Sequence, residues 1–336
     1  MADRRKVTIA QVAAAAGVST ATVSLVFNGK AKGQVAPATH ERVLEAGERL
    51  GYRPGWISKV FRSGKAHVIG IVVGHSGTAI WELSYLPEYR GIIAGAAMEA
   101  LEFGYSITVV PVRPEGGLSG PIRPDGIIVV DPAHGDPLIE NALDDDIAVV
   151  SAGGHSRTID SPRLGSVRYG VDGGVPAALA ALVDAGASRP AFFRGPIVDE
   201  YTVESQRAYE RWCEGRDVAP LVFVLDSGQT AIDAARMLLS GNQGAVDAVY
   251  CINESYASSI TEAAAQLDIT VPDKLVVAVA GGQRSGSVDP RLIYLDLDPI
   301  ALGAQCAKLL VGILQGELPR DVTLPLTISR PRNMLP

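Results

Sequence analysis

Residues 7–29 read VTIAQVAAAAGVSTATVSLVFNG, two short helical patterns joined across a Gly-Val-Ser turn. In the first, Thr8 is placed to cap the start, and Ile9, Val12 and Ala13 form an apolar i, i+3, i+4 stripe. Gly17 falls where that helix must stop and turn, because glycine enters the left-handed backbone region without penalty. Ser19 then caps a second helix with Val23, Val26 and Phe27 on its inward stripe. Its other face carries Thr20, Ala21, Thr22, Ser24 and Leu25, mostly small side chains that let a helix sit close to a DNA groove. Two short helices around a tight turn with a smooth outer face is the helix-turn-helix plan. An alanine-rich helical hairpin in an ordinary core is the competing interpretation.

Charge favours the DNA interpretation independently. The chain is net −7, yet residues 1–66 hold eleven Lys and Arg against four acids, so that segment is +7 and the remainder −14. A basic headpiece on an acidic body suits phosphate contact at one end, with an affinity that falls steeply with salt.

At 336 residues the chain has room for one small and two medium domains, and at 47% hydrophobic it can fill their cores. It has no apolar run of about 18 residues to span a bilayer. The opening MADRRKVTIAQ lacks the apolar stretch of a secretion signal. Cys213, Cys251 and Cys306 are scattered without a CxxC pair, and the five histidines show no metal-ligand spacing. The expectation is a cytoplasmic protein with no membrane contact, no metal and no cofactor.

KAKGQV reads as a polar wing after the second helix, and 37–50 as a third helix with Val43, Leu44 and Leu50 inward, Pro37 in its first turn and Gly51 at its end. Residues 55–66, GWISKVFRSGKA, are too short and too cationic to pack as a domain and read as a linker. From His67 onward strands alternate with helices. Strands are expected at 68–73, 105–110, 125–130 and 147–152 with a long helix at 87–103. A second series has strands at 166–171, 189–195, 220–225, 247–252, 275–280 and 292–297, with helices near 175–185, 202–214, 229–240 and 254–267. A helix at 300–315 and a strand at 322–328 finish the pattern. Near-continuous apolar strands between helices imply parallel sheets covered on both faces, here as two α/β lobes with a ligand cleft between them.

These segments together resemble the lactose-repressor/galactose-repressor (LacI/GalR) family of bacterial transcription regulators over essentially the whole chain. The stretch at 7–29 is similar to the family's headpiece signature, ERVLEAGERLGYRP to its third helix and hinge entry, and RSGKAHVIGIVV to its junction with the effector domain. CINESYASSITEAAAQLDITVPDKLVVA and DPRLIYLDLDPIALGAQCAKLLVGILQGE are similar to its second-lobe and return segments. The resemblance implies an all-α helix-turn-helix headpiece (1–51), a hinge (52–66) and a two-lobed α/β periplasmic-binding-protein-like effector domain (67–336). The lobes would comprise about 67–165 with 296–322, and about 166–293 with 323–336. It further implies a homodimer, double-stranded operator DNA of near-palindromic sequence as partner, and a small-molecule effector. The chain stops shortly after TLPLTISRPRN, without the leucine-heptad helix that makes some relatives tetramers.

The expected DNA contacts are Thr8, Ser19, Thr20, Ala21, Thr22, Ser24, Leu25, Asn28, Thr39, Tyr52, Arg53, Lys59, Phe61 and Arg62. Leu25 stands where the family often has an arginine able to pair bidentately with guanine, so reading is expected to lean on shape and the minor groove. Phe61 stands where the family inserts a leucine wedge at the operator centre; it serves as that wedge or as an anchor on the effector domain.

Effector contacts carried over by motif fall on Gly173, Ser205, Asn253, Gly281 and Leu297, where sugar-responsive members often place Asp or Asn, Arg, Asn, Asp and Gln. Trp81, Tyr85, Asp131 and Asp172 are added as cleft candidates, the aromatics with Tyr89 being equally compatible with a core. A polyhydroxyl site needs paired donors and acceptors, so an ordinary monosaccharide is not the expected effector, and a regulator without a tight effector stays open. A solute-binding receptor shares the two-lobe plan but not the basic headpiece. The chain shows no GxGxxG, GxSxG or P-loop, so it is not expected to be an enzyme.

Overall fold

The computed structural model describes residues 7–27, 31–52, 65–73, 86–113, 115–120, 122–133, 136–155, 159–196, 198–226, 228–241, 246–282 and 288–330. The chain divides into two compact units, Met1–His67 and Val68–Pro336.

The first unit holds α1 (Ile9–Ala16), α2 (Thr20–Phe27) and α3 (Pro37–Leu50). Thr8 and Gln11 form a reciprocal capping box, and Gly17 ends α1 at φ 63°. Val12, Ala13, Ala16, Val23, Val26, Val43 and Ala46 form its core. The third helix turns a different face inward from the one its sequence suggested. Leu44 and Leu50 are 42% and 37% exposed, whereas Val43, Ala46 and Gly47 are buried. Leu44 lies a third of a turn round from Val43, and a Cβ at Gly47 would come within 2.3 Å of the Phe27 ring, so the ring rests on bare backbone.

The second unit contains two six-stranded sheets. The first has β1 (Val68–Val73), β2 (Ser106–Val109), β3 (Gly126–Val130), β4 (Ala148–Ala152), β5 (Leu164–Tyr169) and β11 (Asp321–Leu324), in the order β11-β5-β4-β3-β1-β2, all parallel. The second has β6 (Pro190–Arg194), β7 (Val222–Val224), β8 (Ala248–Cys251), β9 (Val276–Gly281), β10 (Ile293–Asp296) and β12 (Thr327–Ser329), in the order β12-β10-β9-β8-β6-β7. Only β12 runs antiparallel among these pairings. The helices are α4 (Leu86–Glu102), α5 (Leu138–Asp144), α6 (Val171–Asp184), α7 (Glu200–Glu214), α8 (Ala231–Ser240), α9 (Glu254–Gln266) and α10 (Pro299–Leu314).

The first sheet is buried on both faces, and strand alternation divides its side chains between two clusters. Ile128, Val130, Ala148 and Val150 join the large core, which includes Ile92 of α4 and Leu310 of α10. Ile127, Val129 and Val149 pack with Leu138, Ile139 and Ala142 of α5, a helix the sequence reading did not place. Helices α4 and α10 touch backbone to backbone: a Cβ at Gly303 would lie 1.9 Å from the Ile92 carbonyl oxygen.

Two sequence-based boundaries are corrected. The strand expected to open the second lobe at 166 is β5, which pairs with β4 and β11 in the first sheet. The expected final strand at 322–328 is two strands in different sheets, separated at Pro325, which has no N–H to continue a ladder. The chain therefore crosses between lobes after β5, after β10 and after β11.

Candidate functional site

In the headpiece, α2 exposes Thr20 and Ala21, with Thr22, Ser24 and Leu25 half-buried beside them. Ser19 Oγ accepts the Thr22 N–H at 3.1 Å and lies 2.9 Å from Thr22 Oγ1, so two of the expected contact hydroxyls also hold the start of the helix. Thr8 has the same double position, its Oγ1 accepting the Gln11 N–H at 3.4 Å while Gln11 Oε1 accepts the Thr8 N–H at 2.8 Å. Thr39 is half-buried in the first turn of α3. Tyr52 is half-buried and also has a packing role: its ring stands edge-on to Phe27 at 5.2 Å and packs against the headpiece core. The bare backbone at Gly47 leaves the Phe27 ring room beside it. Asn28, Arg53, Lys59, Phe61 and Arg62 lie outside the described residues.

In the second unit, strand ends of the first lobe meet helix starts of the second. Asp131 follows β3 in the left-handed region at φ 45°, unusual for a non-glycine, and its N–H donates to the Ala152 carbonyl at 2.9 Å. A Cβ at Gly153 would lie 2.6 Å from Asp131 Oδ1, so the carboxyl sits over the end of β4. Two residues on, Ala133 forms an antiparallel bridge with Asp199, the cap of α7. Asp199 accepts the Thr202 N–H at 2.7 Å and its hydroxyl at 3.1 Å. Asn253 Oδ1 caps α9 through the Tyr256 N–H at 3.0 Å, leaving a buried Nδ2 without a partner among the described residues. Glu254 Oε1 accepts the Gly282 N–H at 2.9 Å. The Tyr169 ring on β5 meets the Tyr201 ring on α7, and the Tyr169 hydroxyl has no hydrogen-bond partner among the described residues. Ser205, one turn beyond Tyr201, is fully buried with its Oγ unpartnered among the described residues.

The electrostatics bind these groups into one set. Burial, then the charges of Asp199 and Glu254, push the Glu88 carboxyl in the first turn of α4 up to about 7. Burial, then Asp199 and Glu88, hold Asp131 well above the carboxylate range, eased by a hydrogen bond from Tyr89. Burial raises the Tyr169 hydroxyl, with further contributions led by Glu88 and Asp131. Glu88 and Asp131 are thereby held toward their neutral, protonated forms, the usual response of buried neighbouring carboxyls. Among the described residues, no group of His, Cys, Asp and Glu is arranged to hold a metal ion.

Residues 8–55 match the model of the bacterial regulatory proteins of the lacI family, and residues 179–330 that of the periplasmic binding protein-like domain. The HTH-type transcriptional regulator CelR of Thermobifida fusca is 27% identical over 97% of both chains. Catabolite control protein A of Priestia megaterium is 27% identical over 93% of both. The lac repressor dimer bound to operator and the anti-inducer ONPF shares the fold at a TM-score of 0.80 and 21% identity, covering 99% of this chain and 100% of that one. The chain belongs to the LacI/GalR family. This LacI/GalR member is a DNA-binding transcriptional regulator with an effector-binding domain of the LacI type. No single helix among its described residues is long and apolar enough to cross a membrane.

Within the regulator, the sequence-derived cleft positions separate. Asp131, Ser205, Asn253 and Gly281 fall at the strand ends and helix starts just described, with Gly281 buried beneath Glu254. Leu297 is buried, its N–H donating to the Gly281 carbonyl at 2.9 Å. Asp172 stands apart, its exposed carboxylate paired with Arg211 at 2.5 Å, and Gly173 is exposed with no neighbour within 4 Å of a Cβ. Trp81 and Tyr85 lie outside the described residues, and Tyr89 is a buried core residue. Sequence reading missed Glu88, Asp199, Glu254, Tyr169 and Tyr201. Their shared signal is position: each ends a strand or begins a helix, where α/β sheets bind ligands.

Proposed function

We propose that this regulator is a homodimeric repressor that reads a near-palindromic operator and responds to a small molecule, other than an ordinary monosaccharide, held between its lobes. The observation that carries the reading is the capped helix pair α1–α2 with Thr20 and Ala21 on its outer edge. Leu25 offers no hydrogen bond, so shape readout supplements direct contacts, with Phe61 in the 52–66 hinge as the apolar wedge. Dimerisation is supported by exposed apolar side chains on α4 and beyond, Met98 at 58%, Leu101 at 70% and Phe103 at 40%, which a second copy would cover. The effector reading is supported by the unpartnered Ser205 and Asn253 atoms, whereas Gly173, Gly281 and Leu297 bring no polar side chain to pair with sugar hydroxyls. Solved relatives include a CelR–cellobiose complex, TM-score 0.67 at 23% identity over 96% of this chain and 98% of that one.

Selection of sites from random DNA by the full chain tests this. The expected result is a two-fold symmetric consensus bound at dimer mass. A consensus with a single half-site, or a monomeric complex, sinks the dimer reading.

A further inference from the structure

We infer that the start of α7, residues 199–204, is a clasp that sets the angle between the lobes, seated on the first lobe while the far end of the helix stays fixed in the second. This names how the effector site proposed above is regulated, and it rests on that reading.

Burial at this helix start is inverted. Val198 is 47% exposed, whereas Asp199, Glu200 and Thr202 just after it are 4%, 8% and 3% exposed. Charged residues ordinarily face water. Here they step across neighbouring strand ends of the first sheet, in which β3, β4 and β5 lie side by side. Asp199 forms an antiparallel bridge with Ala133, beyond β3. The Glu200 Cβ would lie 3.6 Å from a Cβ at Gly154, beyond β4. The Tyr201 ring meets that of Tyr169, the last residue of β5, and Glu204 accepts from Arg168 of the same strand at 3.3 Å. The first lobe is what covers the polar turn.

The far end of α7 is held by its own lobe. Tyr209 is fully buried; its hydroxyl donates to the Pro190 carbonyl at 2.9 Å and accepts the Leu221 N–H at 2.8 Å, and its ring stacks on Phe192 of β6. Arg211 pairs with Asp172 on α6. One stiff helix of 15 residues, about 22 Å long, therefore touches both lobes, and when they rotate one end must let go. A buried hydroxyl torn from its partners stays unsatisfied, whereas a partly exposed ion pair exchanges its partner for water at little cost. The Arg168–Glu204 pair, each side chain 23% exposed, is of the second kind. Release falls on residues 199–204, and a molecule entering the cleft changes the angle by the contacts it displaces or adds there.

The test is a pulsed electron-spin resonance distance in the full chain, between spin labels on Glu140→Cys in the first lobe and Lys274→Cys in the second, with labelled protein diluted into unlabelled chain. Both positions are exposed and the three native cysteines are buried. Arg168→Glu and Glu204→Arg each shift the distance distribution, and the swapped pair carrying both restores it. Tyr201→Ala shifts it as the charge variants do, and decides the matter where these fail to fold. Tyr209→Phe, which weakens the far anchor, lowers the melting temperature without moving the distance. Unmoved distances in the clasp variants, a swap that does not restore them, or a Tyr209→Phe shift as large as that of Arg168→Glu each overturn the inference. A gel shift of the wild type on the selected operator separates the two readings. Operator binding with unmoved distances in the variants sinks the clasp alone, and absent operator binding sinks the regulator reading beneath it.

Discussion

Tyr169, at the end of β5, packs edge-on against Tyr201 in the first turn of α7, ring centroids 6.1 Å apart and planes at 72°. The pair joins the two lobes at the cleft, one residue from the partly buried ion pair of Arg168 with Glu204. Tyr201→Ala is expected to loosen this contact by about 0.5–1.5 kcal/mol beyond lost area, the usual value of an aromatic pair. Urea unfolding of the second unit checks it; an unchanged midpoint means the rings carry no load.

Gly47→Ala is expected to destabilise the headpiece by about 1–3 kcal/mol, because its methyl would need the space held by the Phe27 ring. The second unit should melt as before. Two separate calorimetric transitions, only the lower one shifted, constitute the expected record.

Ser19→Ala removes the cap of α2 and is expected to cost about 0.5–2 kcal/mol of headpiece stability. Binding to operator and to random DNA should fall together wherever the cap acts through folding. A loss confined to the operator would give Ser19 a sequence-reading role instead.

Stability should fall as pH rises through the range between the ordinary glutamate value of 4.5 and about 7. Glu88 is raised in the folded state, so the fold holds the proton that the unfolded chain releases over that window. The associated stability is fully present below 4.5 and lost above about 7. Glu88→Gln should flatten this part of the melting-temperature profile. An identical slope in the variant assigns it to another group.

Phe61→Ala is expected to weaken operator binding by about 1–3 kcal/mol while leaving random-sequence binding and the salt slope nearly unchanged, since a wedge acts only where the central step opens and no charge is removed. Equal losses on both DNAs would make Phe61 a packing residue.

The helix-turn-helix was legible because its punctuation is local: Thr8, Gly17 and Ser19 perform in the structure the capping and turning their identities suggest. The strands were legible from their apolar runs. Helix α5 was not, because seven residues give little periodicity, although the double-faced burial of β3 and β4 required a cover there. The assignment of β5 to a sheet was hidden for another reason: lobe membership is decided by which strands it pairs with, β4 before it and β11 about 150 residues later, and no local pattern records that choice. The cleft acids were visible as letters but not as a group. Glu88, Asp199 and Glu254 look like ordinary first-turn or cap residues until the fold sets their helix starts against one another.

The three crossings between lobes are short: Gly170 alone separates β5 from α6, two residues separate β10 from α10, and two separate β11 from β12. Three such tethers between two stiff bodies suppress sliding and stretching and leave rotation as the soft degree of freedom. Whatever occupies the space between the lobes therefore acts as a wedge in a jaw, and its size sets an angle. Chemical identity inside the cleft becomes mechanical information at the far edge of each lobe, amplified by the distance from the pivot.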